Sequence, residues 1–221
     1  MIFSPEISQL HSMYPSVSFM LDAQHDFAWQ PEMLWGSAYG YSFGAATLRF
    51  RRGNIALQAE QYFSLWLGDQ PLEVDAQDSL FLVIRLGFRC QDTLGWVESQ
   101  GRLSYIDGCT DSLLIYPPRQ GDPSLNLLYF PGGIEQTRHL HPSIRMGCVI
   151  QGQGWSDVWE RGQMQSRPLR TGSHFCLTEN ELHRFRTESD SMTVIAWHPD
   201  GDWGPTDHNH TMLNRTYTQR V

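Results

Sequence analysis

From about residue 46 onward, apolar residues come in short runs separated by turn-forming residues. The runs at 46–51, 61–67, 79–87, 95–98, 102–106, 112–116 and 125–130 read as strands, and so do those at 137–141, 145–151, 155–160, 163–167, 174–178, 183–186 and 192–197. Between them lie Arg52-Gly53-Asn54, Gly68-Asp69, Asp107-Gly108, Pro117-Pro118 and Gly121-Asp122-Pro123, all turn signals. Gly152-Gln153-Gly154 reads as a hairpin turn between two strands, since no helix follows it to make a phosphate loop. A repeat of roughly ten residues leaves no room for the crossovers of a parallel sheet, so the strands are predicted to be antiparallel. No long helical period appears. The pattern predicts an all-β chain, a sandwich or jelly roll. Residues 1–45, with Pro5, Pro15, Pro31 and several glycines, read as an irregular lead-in, with a short helix expected around residues 31–35.

Composition narrows the chemistry. At 40% hydrophobic and 12% aromatic, 221 residues can bury a substantial core. The net charge of −8 gives no electrostatic footprint for nucleic acid or for an anionic membrane. All 16 basic residues are arginine. Lysine Schiff-base chemistry, P-loops and kinase lysines are therefore excluded. Cys90, Cys109, Cys148 and Cys176 are too far apart in sequence for a CxxC motif, and Cys148 and Cys176 fall in predicted strands as small core residues. With no leader-like or membrane-length apolar run, a cytoplasmic protein with reduced thiols is expected.

The informative stretch is 133–154, which contains His139-Leu140-His141. Residues i and i+2 of a strand share a face, so both imidazoles can grip one ion. His183, in Glu181-Leu182-His183-Arg184-Phe185, opens another predicted strand and can supply a third ligand. Arg145 keeps even spacing from His141 and is expected on the same face. A second HxH, His208-Asn209-His210, lies in a polar tail after Gly204-Pro205 and reads as a solvated loop, or alternatively as a lid over the barrel mouth.

The stretch resembles the first motif of the cupins, G-x5-H-x-H-x3-E-x6-G: Gly133 fits the first glycine, His139 and His141 the histidine pair, and Gly152 the last glycine. Gly172, eleven positions before His183, is similar to the second cupin motif, without its usual prolines. The resemblance covers roughly 125–197. It implies a double-stranded β-helix barrel at 121–200 with one metal on His139, His141 and His183. Residues 46–120 match in β texture only and would form a β extension or a metal-free second cupin unit, with 1–45 as lead-in and 201–221 as tail. Arg145 stands where many cupins place a glutamate ligand, and arginine has no lone pair to offer a metal.

Three neutral imidazoles around a 2+ ion leave open positions and a high positive charge, suited to an anionic ligand. Such sites resemble the thiol dioxygenases and other iron dioxygenases. The expectation is a mononuclear non-haem iron oxygenase acting on a small carboxylate, a thiol or amino acid included, with O₂ as co-substrate. Iron(II) is the favoured ion, with Zn, Mn, Ni and Cu as alternatives. Arg145 would fork onto the substrate carboxylate, or would make a structural salt bridge. The alternatives are a lyase, isomerase or decarboxylase using a redox-silent metal, and a non-catalytic small-molecule-binding cupin. The resemblance also implies a possible homodimer.

Overall fold

The computed structural model describes residues 1–23, 26–30 and 35–201. The short helix expected around 31–35 and the tail histidines His208 and His210 fall almost wholly or wholly outside them. Every strand pairing is antiparallel, and the only helical turn in the described residues is a short 3₁₀ segment at Ile106–Gly108.

Two β units stack back to back. In the first, a six-stranded sheet runs in the order Thr93–Trp96, Gln61–Gly68, Gly36–Ser42, Leu80–Leu86, Ser16–Leu21, Glu6–Gln9. It faces a four-stranded sheet of Phe27–Trp29, Leu72–Ala76, Ala46–Phe50 and Gly53–Leu57. Between them lie Leu48, Leu57, Phe63, Leu65, Leu72, Leu82, Ile84 and their neighbours, a filled apolar interior. Residues 1–45 thus carry five strands and are not an irregular lead-in. Proline and glycine misled the reading because Pro5 and Pro15 lie just outside strands. Gly40 sits inside one, where a Cβ would come within 2.2 Å of the Phe81 carbonyl oxygen.

The second unit is built on a nine-stranded sheet system. Its main path runs Ile2–Phe3, His174–Leu177, Arg145–Glu160, Met192–His198, Ser124–Phe130, Thr110–Ile115, Leu103–Ser104. Arg145–Glu160 is one 16-residue strand that serves both layers. Its first half pairs with His174–Leu177 and Met192–His198, and its second half with Gln163–Arg170 and His183–Arg186. The hairpin expected at Gly152-Gln153-Gly154 is therefore a bend within a continuous strand. A register shift between Val149 and Gln151 and a φ of +77° at Gly152 turn the strand from one layer to the other. A Cβ at Gly152 would meet the Ser191 carbonyl oxygen at 2.0 Å, so both the angle and the space there call for glycine.

Alternation along these strands assigns each residue to one of two compartments. Leu125, Leu127, Ile195, Trp197, Met146 and Cys148 face the first unit and pack against Tyr39, Tyr41, Phe81 and Val83 of its six-stranded sheet. The intervening residues, among them Phe130, Val149, Phe175, Leu177, Val194 and Ala196, face the interior of the second barrel.

Candidate metal centre and its cavity

The three histidines predicted from spacing come together. His139 is not in a regular strand, as its spacing suggested, but in an extended segment joined to His183 by one isolated bridge. Its amide donates to the His183 carbonyl at 3.0 Å, and the His183 amide donates back at 2.9 Å. This two-way pairing holds the rings 4.5 Å apart, centre to centre, with His141 5.1 Å from each. Their candidate ligand atoms all lie within 4.8 Å of one another.

Backbone carbonyls set the tautomers. His139 Nδ1 lies 2.8 Å from the Thr137 carbonyl oxygen, and His183 Nδ1 lies 2.8 Å from that of Glu181. Each Nδ1–H then donates outward and leaves Nε2 as the lone-pair nitrogen, the arrangement that metal-ligating histidines adopt. His183 is 1% exposed, and its Nε2 is buried without a hydrogen-bond partner. Burial, with the neighbouring histidines and Arg145, holds His141 and His183 far below the ordinary imidazole value, each at about 3. Both rings are neutral and ready to coordinate. These residues fit a divalent ion: three neutral imidazoles with their ligand atoms within 4.8 Å of one another are a donor set that first-row metals accept. Among the described residues no other set of three His, Cys, Asp or Glu side chains is so placed.

The triad opens into a cavity of about 630 Å³ inside the second barrel. Phe130, Phe175, Phe185, Leu128, Val194 and Ala196 make its apolar walls. Arg145 is on the wall and 7% exposed. Its Nη1 donates to the carbonyl oxygens of Ser143 at 3.1 Å and Ile144 at 3.0 Å, and it lies 3.7 Å from Asp200 Oδ1. Asp200 in turn accepts from Ser143 Oγ and, at 3.2 Å, from the Tyr14 hydroxyl of the first unit. Arg145 thus lines the cavity and is also half of an ion pair, the structural salt bridge that was one of the two roles weighed for it.

Among the polar wall residues that sequence reasoning missed are Asp111, Asn126, His198 and Asp200. Burial, Arg145 and His141 push His198 well below its ordinary value, so it too is neutral. Asp111 accepts from Asn126 Nδ2 with both oxygens, at 2.9 and 3.0 Å. Burial raises its carboxyl to about 6 despite that help. For Asn126 alone a local hint existed in Leu125-Asn126-Leu127, a polar residue between apolar ones in a largely buried strand.

No family model and no curated protein matches this chain. Solved structures do. A cupin 2 conserved barrel domain protein from Leptotrichia buccalis superposes with a TM-score of 0.60 at 14% identity, over 88% of each chain. The chain has the cupin fold. An IolB-like protein from Salmonella typhimurium gives the same TM-score and identity over 91% of this chain and 90% of that one. A mutant of Bacillus subtilis oxalate decarboxylase gives 0.54 at 9% identity, over 90% of this chain and 73% of that one. The three-histidine group lies in the second unit, and the interior of the first is filled with aliphatic and aromatic side chains. No helix among the described residues is long and apolar enough to cross a membrane.

Proposed function

We propose that the second barrel is the site of a metal-dependent enzyme acting on a small carboxylate. The observation that carries this reading is the buried, unpartnered Nε2 of His183, beside two more imidazoles whose ligand atoms lie within 4.8 Å. A buried polar atom without a partner is costly, and a metal ion removes that cost. A bound ion would supply Lewis-acid polarisation of a substrate oxygen or, if it is iron, a redox centre where O₂ meets the substrate.

The chain's own residues do the rest. Arg145 adds a fixed positive charge to the cavity wall and anchors an anion, with Asp200 and Ser143 holding its guanidinium in place. The phenylalanine-lined wall excludes water and strengthens that attraction. Asp111, with a carboxyl near 6, holds or releases a proton close to neutral pH. A proton carrier of this kind favours isomerase, lyase or decarboxylase chemistry, and oxalate decarboxylase is among the proteins sharing the fold. The three-imidazole donor set, with no carboxylate ligand, supports the second reading, a mononuclear iron dioxygenase.

The test begins with elemental analysis of untagged protein beside His139→Ala and His183→Ala. The expected result is near-stoichiometric metal in the native protein and little in either variant. Turnover of a panel of small carboxylates is then followed with and without O₂. Oxygen-independent turnover supports the first reading, and consumption of O₂ with iron bound supports the second. Equal metal content in native protein and variants overturns the metal-centre reading.

A further inference from the structure

The cavity has a second polar pole, built on strands that carry none of the histidines. Asp111 lies on Thr110–Ile115, and Asn126 on the adjacent Ser124–Phe130. Counting along the sheet, the strand of Asp111 is three places from that of Arg145. At about 4.8 Å per strand this is about 14 Å along the curved wall. Between the poles the lining is largely apolar, with Leu128, Phe130, Val194 and Ala196 among its residues.

The local chemistry of this pole is unusual. Asn126 is 7% exposed and commits its one NH₂ group to both oxygens of Asp111. Its own Oδ1 is left buried with no partner. An amide held at that cost fixes Asp111 in one orientation. Asp111 receives only that one nitrogen donor among its side-chain contacts, whereas a carboxylate has room for about four. Apolar neighbours such as Leu103, Leu113 and Leu128 share its side of the cavity and offer no donor from their side chains. A ligand in the cavity can supply the missing donors.

We propose that Asp111, positioned by Asn126, is the specificity-determining residue that binds a hydroxyl or amino group of the substrate, so that the ligand is a carboxylate bearing such a donor along its chain. This rests on the proposed function for the acid end of the ligand, held by the metal and Arg145, and adds the other end. A hydroxyl donating to the Asp111 carboxylate replaces lost water with a charge-assisted hydrogen bond. The charged and titratable groups that share the cavity with Asp111 are Tyr105 beside it, Tyr116, Arg145 with Asp200, and the imidazoles of His139, His141, His183 and His198. Burial holds the Asp111 carboxyl near 6, so donor binding strengthens as it ionises above that pH.

The test is calorimetric titration of manganese-loaded protein with matched monocarboxylates: hexanoate against 6-hydroxyhexanoate, and octanoate against 8-hydroxyoctanoate. Native protein at pH 8 is expected to bind a hydroxylated member at least about tenfold tighter than its plain partner, a difference of about 1.4 kcal/mol. In Asp111→Ala the ratio should fall to about one, with the hydroxylated member losing its advantage. Asp111→Asn, which keeps shape and hydrogen-bonding capacity, guards against a folding defect. In that variant the preference should no longer change between pH 5 and pH 8, as it does in the native protein. Equal binding of both members in the native protein, or a preference that survives both substitutions, overturns this proposal and leaves the metal-carboxylate reading standing. Failure of every acid to bind overturns that reading and this one with it.

Discussion

His174 pins the two units together, and its titration should be visible in the stability of the whole chain. It opens the strand His174–Leu177 in the second barrel and is 5% exposed. Its Nδ1 lies 2.7 Å from the Ser4 carbonyl oxygen, and its Nε2 lies 2.9 Å from Ser18 Oγ in the first unit. The Phe81 ring stands edge-on at 5.6 Å. A neutral imidazole satisfies every partner: Nδ1–H donates to the carbonyl, and the serine hydroxyl donates to Nε2. A second ring proton would face that hydroxyl in an apolar setting with no carboxylate to balance it. Burial accordingly lowers His174 from 6.5 to about 4, although the backbone carbonyls of Ser4 and Pro5 oppose the shift. The unfolded chain then binds more protons than the folded one between these values, so stability rises with pH there and falls on acidification. The loss begins near pH 6.5 and is complete near pH 4, where it amounts to about 3 kcal/mol, with about 2 kcal/mol already gone at pH 5. His174→Gln, similar in reach and without a titrating proton, removes the effect, and the other titrating groups cancel in the comparison. Urea unfolding followed by tryptophan fluorescence at pH 7 and pH 5 measures it. The native protein should lose about 2 kcal/mol more than the variant over that interval. Equal losses would refute the reasoning, because they would mean that the folded protein accommodates the charged ring as easily as water does.

Three further expectations follow from other parts of the structure. Asp157 is fully buried and accepts from Arg184 at 2.9 Å and Arg186 at 3.3 Å, on the strand that begins with His183. Asp157→Leu should cost about 2 kcal/mol, below the usual figure for a buried pair because both arginines reach solvent, and should weaken metal binding as well, read by thermal unfolding and cobalt titration. Trp197 is fully buried between the units, and Trp197→Ala should cost about 3–5 kcal/mol by chemical denaturation while leaving the histidine triad chemically unchanged. Burial raises Cys90 and Cys109 to about 11 and Cys176 to about 12, with Cys148 higher still. A disulfide reagent at pH 8 should therefore label the folded protein far more slowly than the urea-unfolded chain, and rapid labelling of four thiols would contradict the burial argument.

The second unit was more legible in the sequence than the first because its strands announce themselves separately. Leu125–Phe130 and Met192–Trp197 are largely apolar on both faces, as strands between two cores tend to be, and Gly133 and Gly172 punctuate the segments before the histidines. The triad was readable because two of its members are neighbours in sequence and the third stands at a recognisable distance from a glycine. The polar wall was not, since Asp111, Asn126, His198 and Asp200 come from separate strands and a loop that only the folded sheet brings to one cavity. Gly53–Leu57 and Leu72–Ala76 were overlooked because they alternate buried and exposed residues on the outer sheet, so neither forms a continuous apolar run. Leu72-Glu73-Val74-Asp75 nonetheless carries the period-2 pattern that identifies such strands.

The sheet whose inner face lines the cavity is the same sheet whose outer face rests on the first unit. Leu125 and Leu127 press on that unit while Asn126 and Leu128 look into the cavity from the same strand. A barrel wall one strand thick would flex with its contents if water lay behind it. Here the filled first unit acts as a splint, and Tyr14 reaches past the boundary to the carboxylate that steadies Arg145. The unit that shows no metal-binding group among the described residues thus sets how rigidly the other could hold a ligand. On the function proposed above, tolerance to new ligands should be sought first in the packing of Tyr39 against Trp197, two residues that do not line the cavity.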